Sequence, residues 1–283
     1  MKKKTTLLIV LVFALFNTTF SQEKIKGNKL ISKISTDLAP FHAIVINDDF
    51  KVKLVISNIS SSIEIETDKN LHKHINFSVK DSVLTITTDK KLKAKKLNID
   101  VNYKNALNKI TLNDDAEITS LGTIKTTNML LKINDYGIAD LKIKSDKFKL
   151  LNNNKSRIQL RSKSKLNIES KDVDLDLSES CKVDMIIKAE NLNTRMIGNS
   201  GLNIEGTANL FNAITLEDSE LNGEKLSTNT CTSIIKNSAA ITINASENIT
   251  IEASDKSQTE VYGNAKIVLT QFTESAKLFK KEL

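Results

Sequence analysis

NDDAEI, beginning at Asn113, is the first of nine polar turns that each lead into an alternating apolar run. The others are INDYGI from Ile133, NNKSRI from Asn153, SESCKV from Ser178, GNSGLNI from Gly198, EDSEL from Glu217, KNSAAI from Lys236, SDKSQT from Ser254 and TESAKL from Thr273. Each phrase closes on an apolar anchor: Ile118, Ile138, Ile158, Val183, Leu202, Leu221, Ile241, Thr259 or Val261, and Leu278. Anchors follow one another at about 19 to 20 residues, with one wider step of 25 between Ile158 and Val183. A fixed period in this range is the signature of a solenoid. Between the turns, pairs such as Ile110 and Leu112, Leu131 and Ile133, Leu175 and Leu177, and Ile249 and Ile251 alternate with polar residues as strands do. Stacked in parallel, such coils align their inward residues in columns and bond their backbones to both neighbours. The expectation is an all-β parallel β-helix of about nine coils of roughly 20 residues, running from Leu97 to Leu283. The extra residues of the wide step, KSKLNIESKDVD (163–174), are expected to bulge from one side of a coil.

Upstream the text changes. FHAIVIND, DFKVKLVIS, SSIEIETD, HINFSVKD and SVLTITTDKK alternate with period two over Phe41 to Lys91, divided at Asn47-Asp48, Asn58, Asp68-Lys69-Asn70 and Asp81-Ser82. Such runs with short Asx turns are hairpin signals. Residues 40–96 are therefore expected to form an antiparallel or mixed segment that caps the first coil, within a single domain spanning 40–283. A solenoid must cover both ends, because an open end exposes unpaired strand edges and an apolar column. Phe272, Leu278 and Phe279, followed by Lys280, Lys281 and Glu282, suit the second end. Residues 22–39 read as a polar leader or a first irregular strand.

The opening, MKKKTTLLIVLVFALFNTTFSQ, has lysines at positions 2 to 4, an apolar run from Leu7 to Phe16, and small residues Thr19 and Ser21 ahead of Gln22. That is the pattern of a secretory signal peptide over residues 1–21, too short to span a bilayer. The mature chain is expected to have no transmembrane span and to lie in the periplasm, at the outer membrane or on the cell surface. Removing residues 1–21 takes the formal charge from +7 to +4, since three lysines leave and 38 basic face 34 acidic residues. A mixed-sign surface of that kind argues against nucleic acid. With 8 Gly, 1 Pro and no Trp in 283 residues, the chain is poor in helix punctuation and rich in β-branched and small polar residues, which fits an all-β protein. Cys181 stands two residues before its anchor and Cys231 ten before the next but two, so they fall on different sides of coils two to three rungs apart. That is roughly 10 to 14 Å at ordinary strand spacing, beyond the roughly 7 Å a disulfide allows. Both are read as small buried apolar side chains.

PFHAIVINDDFKVKLVIS (Pro40–Ser57) followed by SSIEIETDKNLHKHINFSVKDSVLTITTDKK (Ser61–Lys91) resembles the opening of the "putative auto-transporter adhesin, head GIN domain" family. The short strand Asp81-Ser82-Val83-Leu84-Thr85-Ile86 is similar to a recurrent strand of that family. The resemblance implies an exported, right-handed β-helical envelope protein with no assigned enzymatic activity and no catalytic residues to carry over. Glycine-rich turns are usual in the family, and here only Gly198-Asn199-Ser200-Gly201 keeps that composition. Asn and Asp tolerate left-handed backbone and bond to their own turns, so the substitution is compatible with the fold.

Four candidate chemistries stand out. Four residues before the anchors runs a ladder of Asp114, Asn134, Asn154, Glu179, Gly198, Glu217, Asn237, Asp255 and Glu274. It could supply oxygens to a hard cation, or it could be a stack of turns whose side chains satisfy backbone groups. Asp172, Asp174, Asp176 and Asp184, with Arg157, Arg161 and Arg195, could furnish paired acids for sugar chemistry, or simply a wet strand face. His72 and His74 could begin a zinc site, although no further ligand accompanies them. Lys90, Lys91, Lys93, Lys95 and Lys96 could meet anionic lipid or acidic polysaccharide, or form a charged, edge-protecting strand. No catalytic, cofactor or metal residue is assigned. The expected function is a non-enzymatic, adhesin-like or scaffolding envelope protein whose partner is an envelope protein or polysaccharide, with homo-oligomerisation open. The competing class is a carbohydrate-active β-helix enzyme, a polysaccharide lyase or hydrolase.

Overall fold

The structure, a computed structural model, describes residues 24–104, 106–154 and 163–282. Residues 1–21, read as a signal peptide, and Arg157, Ile158, Arg161 and Leu283 lie outside the described residues. The described residues are almost wholly β. Ahead of the repeat come β1 (Lys24–Lys26), β2 (Ile31–Asp37), β3 (Ala43–Ile46), β4 (Lys51–Ile56), β5 (Ser62–Asp68), β6 (Ile75–Lys80), β7 (Val83–Thr88), β8 (Lys91–Lys93) and β9 (Leu97–Tyr103). The repeat occupies β10 (Lys109–Leu112), β11 (Glu117–Lys125), β12 (Asn128–Asn134), β13 (Ile138–Asn154), β14 (Lys163–Glu179), β15 (Lys182–Met196) and β16 (Gly201–Thr215). It continues through β17 (Glu220–Ile235), β18 (Ala240–Ala253), β19 (Gln258–Tyr262), β20 (Lys266–Phe272) and β21 (Lys277–Lys280).

Two parallel stacks run the length of the molecule. One takes β7, β3, β10 and β12, then the second halves of β13 to β18, and ends at β20. The other takes β4 and β11, the first halves of β13 to β18, then β19 and β21. Each long strand bends from the second stack into the first, and a corner, four residues long between β15 and β16, β16 and β17, and β17 and β18, returns the chain to the next coil. The result is a β-solenoid of about eight turns. Alternation puts every second side chain inside, so Val183, Met185, Ile187, Leu192 and Met196 of one coil sit over Leu202, Ile204, Phe211 and Thr215 of the next, all buried.

The register corrects three expectations. Ile118 pairs with Ala139, not Ile138, and Ile138 is only half-buried on the outside. Space decides this: a Cβ at Gly137 would lie 2.9 Å from Ile133 Cγ2, so the corner there admits only a small inward residue. Opposite Val183 stands Ser164, not Ile158. The residues 163–174 do not bulge; they are regular strand in β14. From Asn154 to Lys163 is nine steps, against three for the paired Glu179 to Lys182, so the six extra residues lie between the end of β13 and the start of β14.

The first end is a mixed segment. β3 and β4 form a coil of their own, paired in parallel with β10 and β11. Beyond it the second stack continues through β9, β5 and β2, the last two joined antiparallel, and the first stack ends in the β6–β7 hairpin. That hairpin turns at Asp81-Ser82, with φ of 50° and 60°, the left-handed pair that matches strand twist. Leu71, just before a 3-10 turn at His72–His74, is fully buried and plugs the end. Residues 24–37, read as a leader or a first irregular strand, supply β1, which pairs with β8, and β2, which pairs with β5. At the other end Phe272 and Leu278 pack on the core, whereas Phe279 is exposed, with the Lys281 ammonium 5.9 Å from its ring centre. Lys280 occupies the inward register opposite Val261 and its amino group donates to the Gly263 carbonyl. β20 skips Thr270 in its pairing. An inward charge and a bulge both blunt an edge against further strand addition.

Val183→Asp buries an unpaired charge and should destabilise by about 3 kcal/mol or more. Asp174→Asn, on the outer face, should stay within about 0.5 kcal/mol. Urea unfolding of both variants checks the register, and equal midpoints would refute it. A chain beginning at Leu97 leaves β9, β10 and β11 without β4, β5 and β3 and should aggregate; a cooperative monomer by size exclusion and unfolding would show that the coils need no cap.

Candidate functional site

The corners settle what the acidic ladder does. Asp48, Asp114, Asp135, Glu179, Glu217, Asn237, Asp255 and Glu274 all have φ between 53° and 64°, and Gly198 has 82°. The ladder position in the second phrase is thus Asp135, not Asn134, and the ladder starts one coil earlier, at Asp48. Left-handed backbone costs a residue with a Cβ roughly 1 to 2 kcal/mol, and two sets of hydrogen bonds offset it. Tyr136, Asn199, Asp218, Ser238 and Lys256, each following a left-handed residue, donate their N–H to the left-handed carbonyl one coil back, as in Tyr136 N to Asp114 O at 2.8 Å and Ser238 N to Glu217 O at 2.9 Å. The left-handed N–H itself donates to a side chain one coil on: Asp48 N to Asp114 Oδ2 at 3.0 Å, Gly198 N to Glu217 Oε2 at 3.0 Å, and Asn237 N to Asp255 Oδ2 at 2.9 Å. An oxygen-bearing side chain therefore serves these rungs, whether acid or amide. Beside it, Asn134 Nδ2 donates to Asn113 Oδ1 and Asn113 Nδ2 to Asn47 Oδ1, a second short ladder. The oxygens bind the neighbouring coil. Among the described residues no group of three or more His, Cys, Asp or Glu could hold a metal ion.

The candidate acids are not brought together. Asp172, Asp174 and Asp176 lie on the outer face of the first stack, and Asp184 lies on the outer face of the second. Asn191 Nδ2 donates to Asp172 Oδ1 at 2.7 Å, Asn193 Nδ2 to Asp174 Oδ1 at 2.9 Å, and Arg195 lies 3.6 Å from Asp176. Asn212 extends the same row by donating to Asn193 Oδ1 at 3.0 Å. Asp184 accepts from Asn203 Nδ2 at 2.9 Å. Each outer face holds a shallow groove. That on the first stack, about 530 Å³, is lined by Asp174, Asp176, Arg195, Asn212, Ile214 and Ile234. That on the second, about 440 Å³, has Ile186, which is 53% exposed, amid Asp140, Lys142, Asn203, Glu205 and Lys225. Ile186 was not singled out from the sequence, because an apolar residue next to the inward Ile187 reads as a continuous core run.

His72 and His74 do not share a strand face. They sit on the 3-10 turn, where His72 Nε2 lies 3.0 Å from Ser32 Oγ and His74 Nδ1 lies 3.0 Å from Asp89 Oδ1. The lysine cluster divides: Lys91 and Lys93 are in β8, and Lys96 pairs with Glu66 at 2.7 Å. Both cysteines are free and fully buried, Cys181 in a corner and Cys231 over Phe211 in the first stack. Burial pushes the Cys181 thiol up to about 12 and the Cys231 thiol higher, which leaves both protonated and inert at neutral pH.

A profile of the family described as "Putative auto-transporter adhesin, head GIN domain" matches residues 40–166 and 156–265. The chain belongs to this family. Solved structures agree at the level of fold. A "putative adhesin" from Parabacteroides merdae ATCC 43184 aligns with a TM-score of 0.69 at 17% identity, over 92% of this chain and 99% of its own. A "putative lipid binding protein" from Parabacteroides distasonis ATCC 8503 gives 0.66 at 14%, over 92% and 100%. A "putative adhesin" from the same organism gives 0.63 at 18%, over 92% and 100%. No curated protein matches the chain. Among the described residues no helix is long and apolar enough to cross a membrane.

Hydrogen bonds, first from the Asn237 N–H and then from Ser254, hold the Asp255 carboxyl below its ordinary range. A depressed folded-state value contributes stability that is present above the unfolded value, about 3.9, and is lost as pH falls through the folded one. Asp255→Asn should therefore flatten the acid limb of the melting-temperature profile. At neutral pH Asp255→Gly should melt closer to wild type than Asp255→Ala, because glycine removes the left-handed strain while both lose the bond. The same melting assay with added calcium should show no shift.

Proposed function

We propose that the chain is an exported, non-enzymatic protein of the cell envelope or cell surface whose rigid rod presents its outer faces for adhesion or scaffolding. The observation that carries this reading is the commitment of the candidate acids to the next coil: Asp172, Asp174 and Asp184 each accept an asparagine side chain one rung away. General acid–base chemistry needs a carboxyl within reach of substrate and poised to change protonation. Here the acids are rungs. Asp174 and Asp176, two residues apart on one strand, are roughly 7 Å from each other by strand geometry, a spacing glycosidases also use. What separates them from a catalytic pair is their setting, an open face with partners already in place.

Membership of an adhesin-type family supports the reading, as do the "putative adhesin" descriptions of two structural relatives. A partner of the polysaccharide or envelope-protein class would meet polar rows repeating at the strand spacing of about 4.8 Å, with Ile186, Leu210 and Ile214 as isolated apolar contacts. Multivalent contact along such rows suits adhesion, where many weak rungs add.

The test uses the chain from Gln22 onward, which contains every described residue. Beads coated with it should be retained on surfaces bearing envelope polysaccharide, above beads coated with an unrelated monomer. Incubation with pectin, alginate or hyaluronan should release no reducing ends and no unsaturated uronate. Release that disappears in Asp174→Asn/Asp176→Asn would overturn the proposal and favour a carbohydrate-active enzyme.

A further inference from the structure

At the capped end, β1 and β8 form a two-stranded parallel ribbon in which Lys24 faces Lys91 and Lys26 faces Lys93. The residues between them, Ile25 and Leu92, turn inward on the core, so all four lysines project outward from one face and are exposed. Neighbouring strands are about 4.8 Å apart and successive outward residues about 7 Å. Like charges directly opposite one another on paired strands are destabilising. None of the four is in an ion pair with a described carboxylate, whereas Lys33, Lys51, Lys96 and Lys144 all are; of the four, Lys91 borders a groove that also holds Asp48, Asp49, Asp114 and Asp115.

The ribbon is held in place by a buried carboxylate. Asp68 is fully buried and accepts the N–H of Lys29 at 2.5 Å and of Lys95 at 2.7 Å. A Cβ at Gly27 would lie 2.3 Å from its Cγ, so only glycine lets the strand approach this closely. Asp68 thus gathers the ends of β1 and β8 to one point and adds the exposed side chains of Lys29 and Lys95 to the same pole. Next to them the chain runs into Leu30 and Ile31, 64% and 38% exposed, with the Leu30 carbonyl taking the N–H of Lys69 at 2.8 Å. This pole carries seven lysines without a described ion pair, around a protruding apolar tip.

We infer that this pole docks on the anionic surface of a lipid bilayer, the lysines over the headgroups and Leu30 and Ile31 in the interface. Charge alone would suit any polyanion. The apolar tip selects a bilayer, because apolar burial together with attraction to anionic lipid is what binds a protein peripherally. The site lies at one end of the rod, so docking there leaves both outer faces of the coils free. It stands independently of what those faces bind.

Flotation with vesicles, using the chain from Gln22 onward, tests it. Binding to phosphatidylcholine vesicles containing one third phosphatidylglycerol should exceed binding to pure phosphatidylcholine and should fall in high salt, where screening shortens the reach of charge. Each lysine near such a surface contributes about fivefold in partitioning. The variant Lys24→Gln/Lys26→Gln/Lys91→Gln/Lys93→Gln should therefore lose at least about a hundredfold. Lys125→Gln/Lys132→Gln/Lys147→Gln/Lys149→Gln, with the same net charge, should lose little. Leu30→Ser/Ile31→Ser should weaken vesicle binding while leaving binding to soluble polygalacturonate unchanged. Equal losses in the two quadruple variants, or no preference for anionic vesicles, would overturn the inference. So would lysine-dependent binding to polygalacturonate without binding to vesicles, which would assign the pole to an acidic polysaccharide.

Discussion

The structure depends on the hydrogen-bonded stacking of its corners. A strand in a parallel stack finds partners above and below without effort, but a turn usually breaks the ladder and hands its backbone groups to water. Here it does not. At Gly198, Glu217 and Asn237 the residue accepts left-handed backbone, its carbonyl takes an N–H from the coil after it, and its own N–H finds a side-chain oxygen on that same coil. The pairing therefore runs through the corner as well as along the sides. This fixes the identity of the corner residues more loosely than their chemistry: Asp, Glu and Asn alternate along the ladder, and the residue without an oxygen, Gly198, is the one that needs none to adopt the conformation.

The two ends show how a solenoid stops. At the first, the parallel order is abandoned for antiparallel strands and a hairpin, with Leu71 filling the gap between the stacks. At the second, the last coil keeps the parallel order but spoils its own edge with a bulge at Thr270 and a lysine where an aliphatic residue stood one coil earlier. One end is closed by structure and the other is made unattractive by charge.

The repeat was legible in the sequence because period and turn chemistry both survive in a single chain, and solved structures carry the same fold. The error at Ile138 arose because the phrase INDYGI offers a large apolar residue one place too early, and sequence has no measure of the room beside Gly137. The wide step was visible but its location was not, since an insertion at a corner and one on a side lengthen the period equally; only the pairing of Asn154 with Glu179 separates them. The role of Asp68 was hidden for another reason. Its partners lie 39 and 27 residues away, at Lys29 and Lys95, and in sequence it is one more turn residue. Likewise the separation of Asp184 from Asp172, Asp174 and Asp176 follows from the bend in each long strand, which alternation alone does not mark.

The coil-to-coil register has a mechanical consequence. Each coil bonds only to its neighbours, at an offset of 19 residues throughout β14 to β15 and β15 to β16. Tension applied at the C-terminus would load the outermost rung perpendicular to its strands, so its hydrogen bonds would break in succession and not all at once. Each released coil would lengthen the chain by roughly 65 Å, at about 3.4 Å per residue. A tether of this design yields in steps, shedding force coil by coil while the remainder of the rod keeps its shape.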